Sequence, residues 1–354
     1  MTHPYNFQTE KQQLKSVSNT NSNKIFDMKL ITIVLITKLL IVASLSGQNQ
    51  NKVQSRIDGT NRTQPTPTPT GANNNSAQQN DNVTSDSGAQ LPVSLNNGEI
   101  SGFFGYDSRY FYRSNPLFIN GDLGEETESD MWTNTFYTGV SSVIESDNSA
   151  HTPFLTGSFI INDYLADDLG VFNYNTTSIS TGIFSYYGGK NTYFAKVTYN
   201  MDKSTENDSE DFNEFFPEIG LITSIDVFDT LSINTTLAIG QHSTTIDSVG
   251  GTRPEDLMDN LEVYALNVFS FGNSFLDDLG LTYRIGYQTY ENGSYSDRDD
   301  FSHSFSGRYN FTVLNADQPN LQIYSSYSIR NSNDNTFDYD NVDAGIGISL
   351  VANF

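Results

Sequence analysis

The sequence predicts an all-β fold, an antiparallel transmembrane β-barrel of about twelve strands, preceded by a signal segment and a disordered linker. Three observations predict it. After residue 99, apolar residues recur at every second position in many short runs, and no sustained 3.6-residue stripe appears. The connections between those runs are alternately tight and long, as in barrels that turn sharply on one side of a membrane and loop out on the other. Aromatic residues are abundant, with 20 Tyr and 24 Phe, while only 17% of the chain is charged.

Composition narrows the function classes. A net charge of −24 argues against a protein that coats nucleic acid, because such a protein needs a basic face to displace counterions from phosphate. The absence of cysteine excludes a disulfide scaffold, a thiolate zinc site, a cysteine nucleophile and a lipoprotein anchor. A mean hydropathy of −0.43 excludes a polytopic helical membrane protein. The charge is also uneven. Residues 1–98 carry 8 Lys/Arg and 5 Asp/Glu, a balance of +3, and residues 99–354 carry 10 and 37, a balance of −27.

The first third of the chain reads as segments outside the fold. Residues 1–27 are polar and aperiodic, and Met28 is a candidate start, which would make 1–27 a non-native extension. Residues 28–46 have a charged start at Lys29, an apolar run broken by Lys38, and Ser44 and Ser46 at the spacing a signal peptidase accepts. An uncleaved anchor is the alternative, but the apolar run is shorter than the roughly 20 residues a helical span needs. Residues 47–98, including TQPTPTPTGANNNSAQQNDN, hold too few apolar groups to offset chain entropy and form a disordered linker, extended around Pro65, Pro67 and Pro69.

Residues 99–354 form the barrel. Its strands are expected at 100–113, 131–143, 153–162, 174–187, 192–201, 214–225, 231–242, 261–270, 279–290, 300–314, 321–330 and 341–354. Tyr193, Ala195, Val197 and Tyr199 set the face of the fifth. Leu231, Ile233, Leu237 and Ile239 do so for the seventh, and Leu281, Tyr283, Ile285 and Tyr287 for the ninth. The last is the cleanest, with Val342, Ala344, Ile346, Ile348, Leu350, Ala352 and Phe354 on one face. The second and fourth alternate poorly, and Asp163–Asn173 reads equally as a loop or a tight turn, so ten or fourteen strands stay open. Gly188–Asn191, Asp226–Thr230 and Asn315–Asn320 are the short connections; Asp202–Asn213, Ser243–Asn260 and Asn331–Asp340 are the long ones. The long connections carry much of the acid, as at Glu125, Glu126, Glu128 and Asp130. Pro217 is expected near the membrane edge, since a central proline weakens a strand. Tyr110, Tyr112, Tyr186, Tyr187, Tyr287 and Tyr290 lie near strand ends, where aromatic girdles form.

The chain stops at Phe354, at the end of its best alternating strand, and opens its barrel with GFFGYDSRYFYRS. These two features resemble the terminal and opening strands of Gram-negative outer-membrane β-barrel proteins of the porin-like kind. The resemblance covers about residues 99–354 and lies in architecture, with no catalytic or transport motif. It implies an outer-membrane location with both barrel ends periplasmic, and an insertion machinery that reads Phe354 as its assembly signal. It also implies contact with outer-membrane lipid and lipopolysaccharide.

Enzymatic templates find little support. A barrel phospholipase places His and Ser two residues apart on one strand, on one face. Here His303 is followed at that spacing by Phe305, His242 by Thr244 and His151 by Pro153, although Ser302 and Ser304 flank His303. No two His share ligand spacing. The 202–214 run lacks the glycine of an EF-hand loop. No enzyme, cofactor or resident metal is expected, beyond Ca²⁺ or Mg²⁺ that the acidic connections could take through carboxylates.

The inward face carries the remaining signal. Alternation points Arg109, Lys196, Arg284, Arg308 and Arg330 into the barrel, together with Asp107, Glu218 and Asp343. A charge facing lipid would cost about 2–4 kcal/mol at the midplane. Arg284 and Arg308 are expected side by side at similar depth, as part of opposed rows that set the selectivity of a pore. The expected function is therefore a narrow passive diffusion pore for small hydrophilic solutes or ions. The alternative is a non-conducting structural or surface-interaction barrel with acidic extracellular loops, its lumen closed by salt bridges.

Overall fold

The computed structural model describes residues 100–354 apart from 117, 119, 121–127, 168, 189–190, 206–211, 229, 247–258, 273–277, 292–295 and 313–319. The expectations for residues 1–99 lie outside the described residues.

The described chain is all-β. Its strands in chain order are β1 (Ile100–Arg113), β2 (Ser129–Ser142), β3 (Ile144–Ser146), β4 (Ser149–Tyr164), β5 (Tyr174–Tyr186), β6 (Asn191–Ser204), β7 (Phe212–Phe228), β8 (Leu231–Ile246), β9 (Asn260–Phe271), β10 (Leu279–Tyr290), β11 (Asp299–Thr312), β12 (Asn320–Ser332) and β13 (Tyr339–Asn353). Each strand pairs antiparallel with its neighbours in one sheet, in the order β2-β1-β13 and then backwards through the chain to β4-β3. β2 also pairs with β4, which closes the sheet into a barrel.

Twelve strands are those expected, and the thirteenth is a short continuation. β2 stops at Ser142, Val143 breaks the extended run, and β3 resumes pairing with the start of β4, Ile144 opposite His151. Asp163–Asn173 is strand up to Tyr164 and then a loop with a 3₁₀ turn at Gly170–Phe172.

Strand ends segregate. β3 and β4, β5 and β6, β7 and β8, β9 and β10, and β11 and β12 meet at one end, the short-turn end, where the strand termini Ile100 and Asn353 also lie. β1 and β2, β4 and β5, β6 and β7, β8 and β9, β10 and β11, and β12 and β13 meet at the other, the long-loop end. The connection at 333–338 is shorter than its sequence suggests because β12 and β13 extend into it from both sides.

The two faces divide by period 2. Phe104, Phe136, Leu155, Phe159, Ile179, Ile219, Ile239, Val263, Ile323, Ile346 and Leu350 are exposed on the outside. An apolar belt of this extent marks a lipid-facing surface. At its long-loop border, aromatic residues pair across neighbouring strands: Tyr110 with Trp132, Tyr199 with Phe215, and Tyr287 with Phe301. Tyr186 and Tyr290 do not join this girdle. Even positions of β5 and β10 face inward, and Tyr290 is buried with the Arg298 guanidinium over its ring at 4.2 Å. Pro217 faces outward, the next outward position after Phe215, opposite Val197 of β6.

Candidate functional site: the barrel lumen

The inner face is built from hydroxyls, amides, glycines and a concentrated set of charges. Residues 99–354 hold ten Lys/Arg. Arg109, Arg113, Lys196, Arg284, Arg308 and Arg330 stand on inward strand positions, and Arg298 is buried at the long-loop mouth. Arg109, Lys196, Arg284, Arg308, Arg330, Asp107, Glu218 and Asp343 thus all project inside. Their arrangement differs from two opposed rows, because most cations meet a carboxylate on their own or a neighbouring strand.

At the mouth, Arg298 bonds Asp300 in a bidentate fork, with Nε donating to Oδ1 at 2.9 Å. Arg330 Nε lies 3.3 Å from the same Asp300. The Arg298 guanidinium sits 3.6 Å from the Phe337 ring centroid, so the 333–338 connection is pinned over the mouth. Beside it, Arg113 donates from Nε and Nη2 to Asp343 at 2.9 and 2.7 Å across the β1–β13 seam.

The central wall holds a continuous relay across β6 to β10. Lys196 pairs with Glu218, which accepts from Tyr264 Oη at 3.1 Å. Arg284 lies over the Tyr264 ring and donates from Nη2 to Glu262 at 2.6 Å. His242 faces Glu262 at 3.3 Å through Nε2 and Glu214 at 2.8 Å through Nδ1. Each ring nitrogen of His242 thus faces a carboxylate. Asn200 extends the relay, donating to Glu214 at 2.6 Å. Glu214, Glu262 and Asp300 were not singled out from sequence, and His242 was read only against a one-strand phospholipase template; each sits at an inward position, and that parity was the available signal.

Arg284 and Arg308 are not level. Arg284 stands opposite Ser304, whereas Arg308 stands opposite Gly280. The four-residue offset separates them by about 13 Å along the strand. Arg308 is nearer the short-turn end and is buried. Asp107 lies 3.9 Å from Arg109, and its Oδ1 has no hydrogen-bond partner among the described residues.

Filling of the lumen is lopsided. Every inward position of β4 from Ala150 to Tyr164 is buried, as are Tyr174, Thr176, Ser178, Ser180 and Phe184 of β5. Apolar clusters occupy that side: Phe111, Met131, Tyr164, Leu169, Tyr174 and Tyr324 in one, and Phe154, Phe184, Phe194 and Ala238 in another. On the opposite side, water reaches Arg284 (side chain 30% exposed), Gln288, Ser302, Ser304, Ser326 and Ser328. Inward Ile222, Ser224, Asn234, Thr236 and Leu266 of β7 to β9 are half-buried too, so the accessible space lies off-axis, on the β7 to β12 side.

Outside the lumen, His151 Nδ1 and Ser185 Oγ lie 3.0 Å apart on the outer face of β4 and β5. A one-strand template does not find this cross-strand pair. The backbone around it is committed to the β4–β5 ladder, so it presents a hydrogen bond between neighbours and no assembled oxyanion site.

No known family model matches the sequence, and no curated protein does. Among solved structures, the chain is similar to the KdgM porin, at 11% identity over 70% of this chain and 98% of that one, TM-score 0.37. It is similar also to the translocator domain of the autotransporter NalP from Neisseria meningitidis, at 13% identity over 72% and 89%, TM-score 0.33. OpdO of Pseudomonas aeruginosa matches at 11% identity over 72% and 98%, TM-score 0.32. All three are outer-membrane β-barrels, a resemblance at the level of architecture.

Proposed function

We propose that this chain is an outer-membrane barrel whose lumen serves as a narrow passive diffusion pore for small hydrophilic solutes or ions. The observation that carries the reading is the off-axis strip of water-reached polar side chains, Gln288, Ser302, Ser304, Ser326 and Ser328 beside Arg284. Such a lining replaces the hydration shell of a small polar solute, and the paired charges beside it tune what passes. The reading involves no chemical step on the solute and no cofactor. It places the short-turn end and both termini in the periplasm, with the acidic long connections outside, where divalent cations can bridge their carboxylates to lipopolysaccharide phosphates. Export by residues 28–46 and insertion by machinery reading Phe354 belong to the same proposal.

A second reading has its own support. The packed half of the lumen, with Met131, Tyr174 and Thr176 fully buried, suits a non-conducting barrel that acts through its acidic surface. Planar-bilayer recording on the purified, refolded barrel separates the two. Discrete conductance steps in 1 M NaCl support the pore. Silent bilayers containing barrel of heat-modifiable mobility overturn it in favour of the structural reading.

A further inference from the structure

The polar strip ends abruptly at a buried tier. Water reaches Gln288, Ser302 and Ser328. The next inward residues towards the long-loop end of the same strands, Tyr290, Asp300 and Arg330, are 2%, 1% and 4% exposed. The burial continues around the mouth at Arg113, Tyr174 and Phe212, from three further strands. Inward Ser224, Asn234 and Thr236, nearer the short-turn end, are only half-buried. Water therefore enters the lumen from the short-turn side and is stopped at the long-loop side.

The 333–338 connection roofs the tier above the strip. Its Phe337 ring is buried, with the Arg298 guanidinium 3.6 Å from the centroid, and the Asn335 carbonyl accepts from Asn120 Nδ2 at 2.7 Å. The ends of the connection are tied to the barrel frame. Asn333 donates from its backbone amide to Asp299 O at 3.0 Å and from Nδ2 to Asp297 O at 2.6 Å, and its Oδ1 accepts from the Asp299 amide at 3.0 Å. Asp338 accepts from the Ser332 amide. Between these ties, Asp334 and Asn335 are exposed, and the stretch rests on the mouth at Asn335 and Phe337.

What lies beneath Phe337 decides whether the ring can leave. Arg298 keeps its fork to Asp300 and its place over the Tyr290 ring when Phe337 lifts, and Arg330 keeps Asp300. Departure of the ring strands neither guanidinium. It forfeits a cation–π contact and some apolar burial, whereas a connection that took part in the carboxylate fork would have to break a buried ion pair.

We propose that the 333–338 connection is a gate over the polar strip, latched shut by Phe337 on Arg298, and that the long-loop mouth opens when Asp334–Phe337 swings outward between its tied ends. The proposal rests on the pore reading and names how that pore is regulated.

The test is single-channel recording on the purified barrel. The wild type should switch between a closed and an open level. Phe337→Ala should raise the ratio of open to closed time about threefold to thirtyfold, with heat-modifiable mobility verifying an intact barrel. The chain has no cysteine, so Asn120→Cys with Asn335→Cys can be bridged by a short bifunctional thiol reagent and the link verified by mass. The bridged barrel should stay at the closed level, and the unbridged one should switch. A conducting wild type whose ratio is unaltered in Phe337→Ala, or a bridged barrel that switches like the unbridged one, overturns the gate and leaves the pore standing. So does a wild type that holds one open level throughout. Silent wild-type bilayers overturn the pore itself, and the gate falls with it.

Discussion

Removing Asp343 should weaken the barrel by several kcal/mol, and removing its partner as well should restore most of the loss. Arg113 and Asp343 face each other in register across the β1–β13 seam, the ladder that joins the first and last strands of the chain. The contact is a bidentate fork of 2.9 and 2.7 Å, both residues are buried, and Asn341 Nδ2 adds a third bond to the carboxylate at 2.8 Å. Phe111 and Phe118 flank the guanidinium, each centroid 5.1 Å from it. In Asp343→Ala the guanidinium keeps these aromatic neighbours and loses its carboxylate, which costs about 3–5 kcal/mol for a buried pair. Two charge-assisted hydrogen bonds at roughly 1.5–3 kcal/mol each give about 3–6 kcal/mol, which overlaps that range. Replacing both residues, Arg113→Met with Asp343→Leu, removes the stranded charge and should return stability to within about 1 kcal/mol of wild type. The coupling in the cycle built from Arg113→Met, Asp343→Leu and their double variant should then exceed about 2 kcal/mol. Reversible urea unfolding in lipid vesicles measures it, and the single tryptophan, Trp132, is a convenient reporter because it lies on the lipid face of β2 beside the seam. A single-variant loss below about 1 kcal/mol, or a double variant no better than Asp343→Ala, would refute the reasoning.

Other outcomes follow from the same geometry. Deleting Phe354 should lower insertion while synthesis and export continue, read as the fraction of heat-modifiable barrel in outer-membrane extracts; wild-type levels would count against the assembly role. Leu350→Arg, on the lipid face four residues in from the level of Tyr110, should cost about 2–4 kcal/mol, and Ser328→Arg, on the lumen face, far less; equal costs would reverse the assigned faces. Arg284→Ser with Arg308→Ser should move the reversal potential towards cations, less so at 1 M salt, where screening acts beyond about 3 Å. Unchanged selectivity in a conducting double variant would detach both arginines from the ion path. Asp338, in the connection over the mouth, has its carboxyl pushed above its ordinary value, first by burial and then by Asp300 and Asp334, against the Ser332 amide that pulls it down. An acid raised in the folded state adds stability below its unfolded pKa, and that stability is lost as pH rises through the higher folded value. The effect is small because the group is largely solvent-screened. Asp338→Asn should therefore flatten the pH dependence of the urea midpoint between pH 3 and 7, and an unaltered slope would dismiss the group.

Period 2 carried much of the fold because a strand's face follows from parity alone. Ile346 and Leu350 against Asp343 and Ser349 is readable from the string, and so are the inward positions of Arg109 and Lys196. Depth is another matter. Placing Arg284 against Arg308 requires the hairpin register, and that depends on where β10 and β11 leave the sheet around the 291–298 connection. Strand ends misled for the same reason: Tyr290 lies at an end, but its even position turns it inward beneath Arg298. The break at Val143 has no compositional mark, since SSVIES reads as a continuous strand. The relay through Glu214, His242 and Glu262 was hidden because parity names a face and not a neighbour. The bonds depend on diagonal reach between strands whose registers the turns decide.

The seam has a kinetic meaning as well. Every other ladder joins strands that follow one another along the chain, so each can form as a local hairpin. The β1–β13 ladder alone joins distant segments, Phe103 opposite Asn353 and Gly102 bonded both ways to Phe354 at 2.8 and 2.9 Å. Gly102 has no side chain there, and a Cβ would meet the Phe354 ring at 2.4 Å, so the terminal ring lies directly on the first strand. Closing a loop of about 250 residues costs about 2.5 kcal/mol more chain entropy than closing one of 15. Almost all of the topology's long-range entropy is thus concentrated in a single zip. Until that zip closes, the sheet is a curled ribbon with two open edges, each a template for foreign strands. The edge that begins at Ile100 and the edge that ends in Phe354 wait for each other, and one closure removes both.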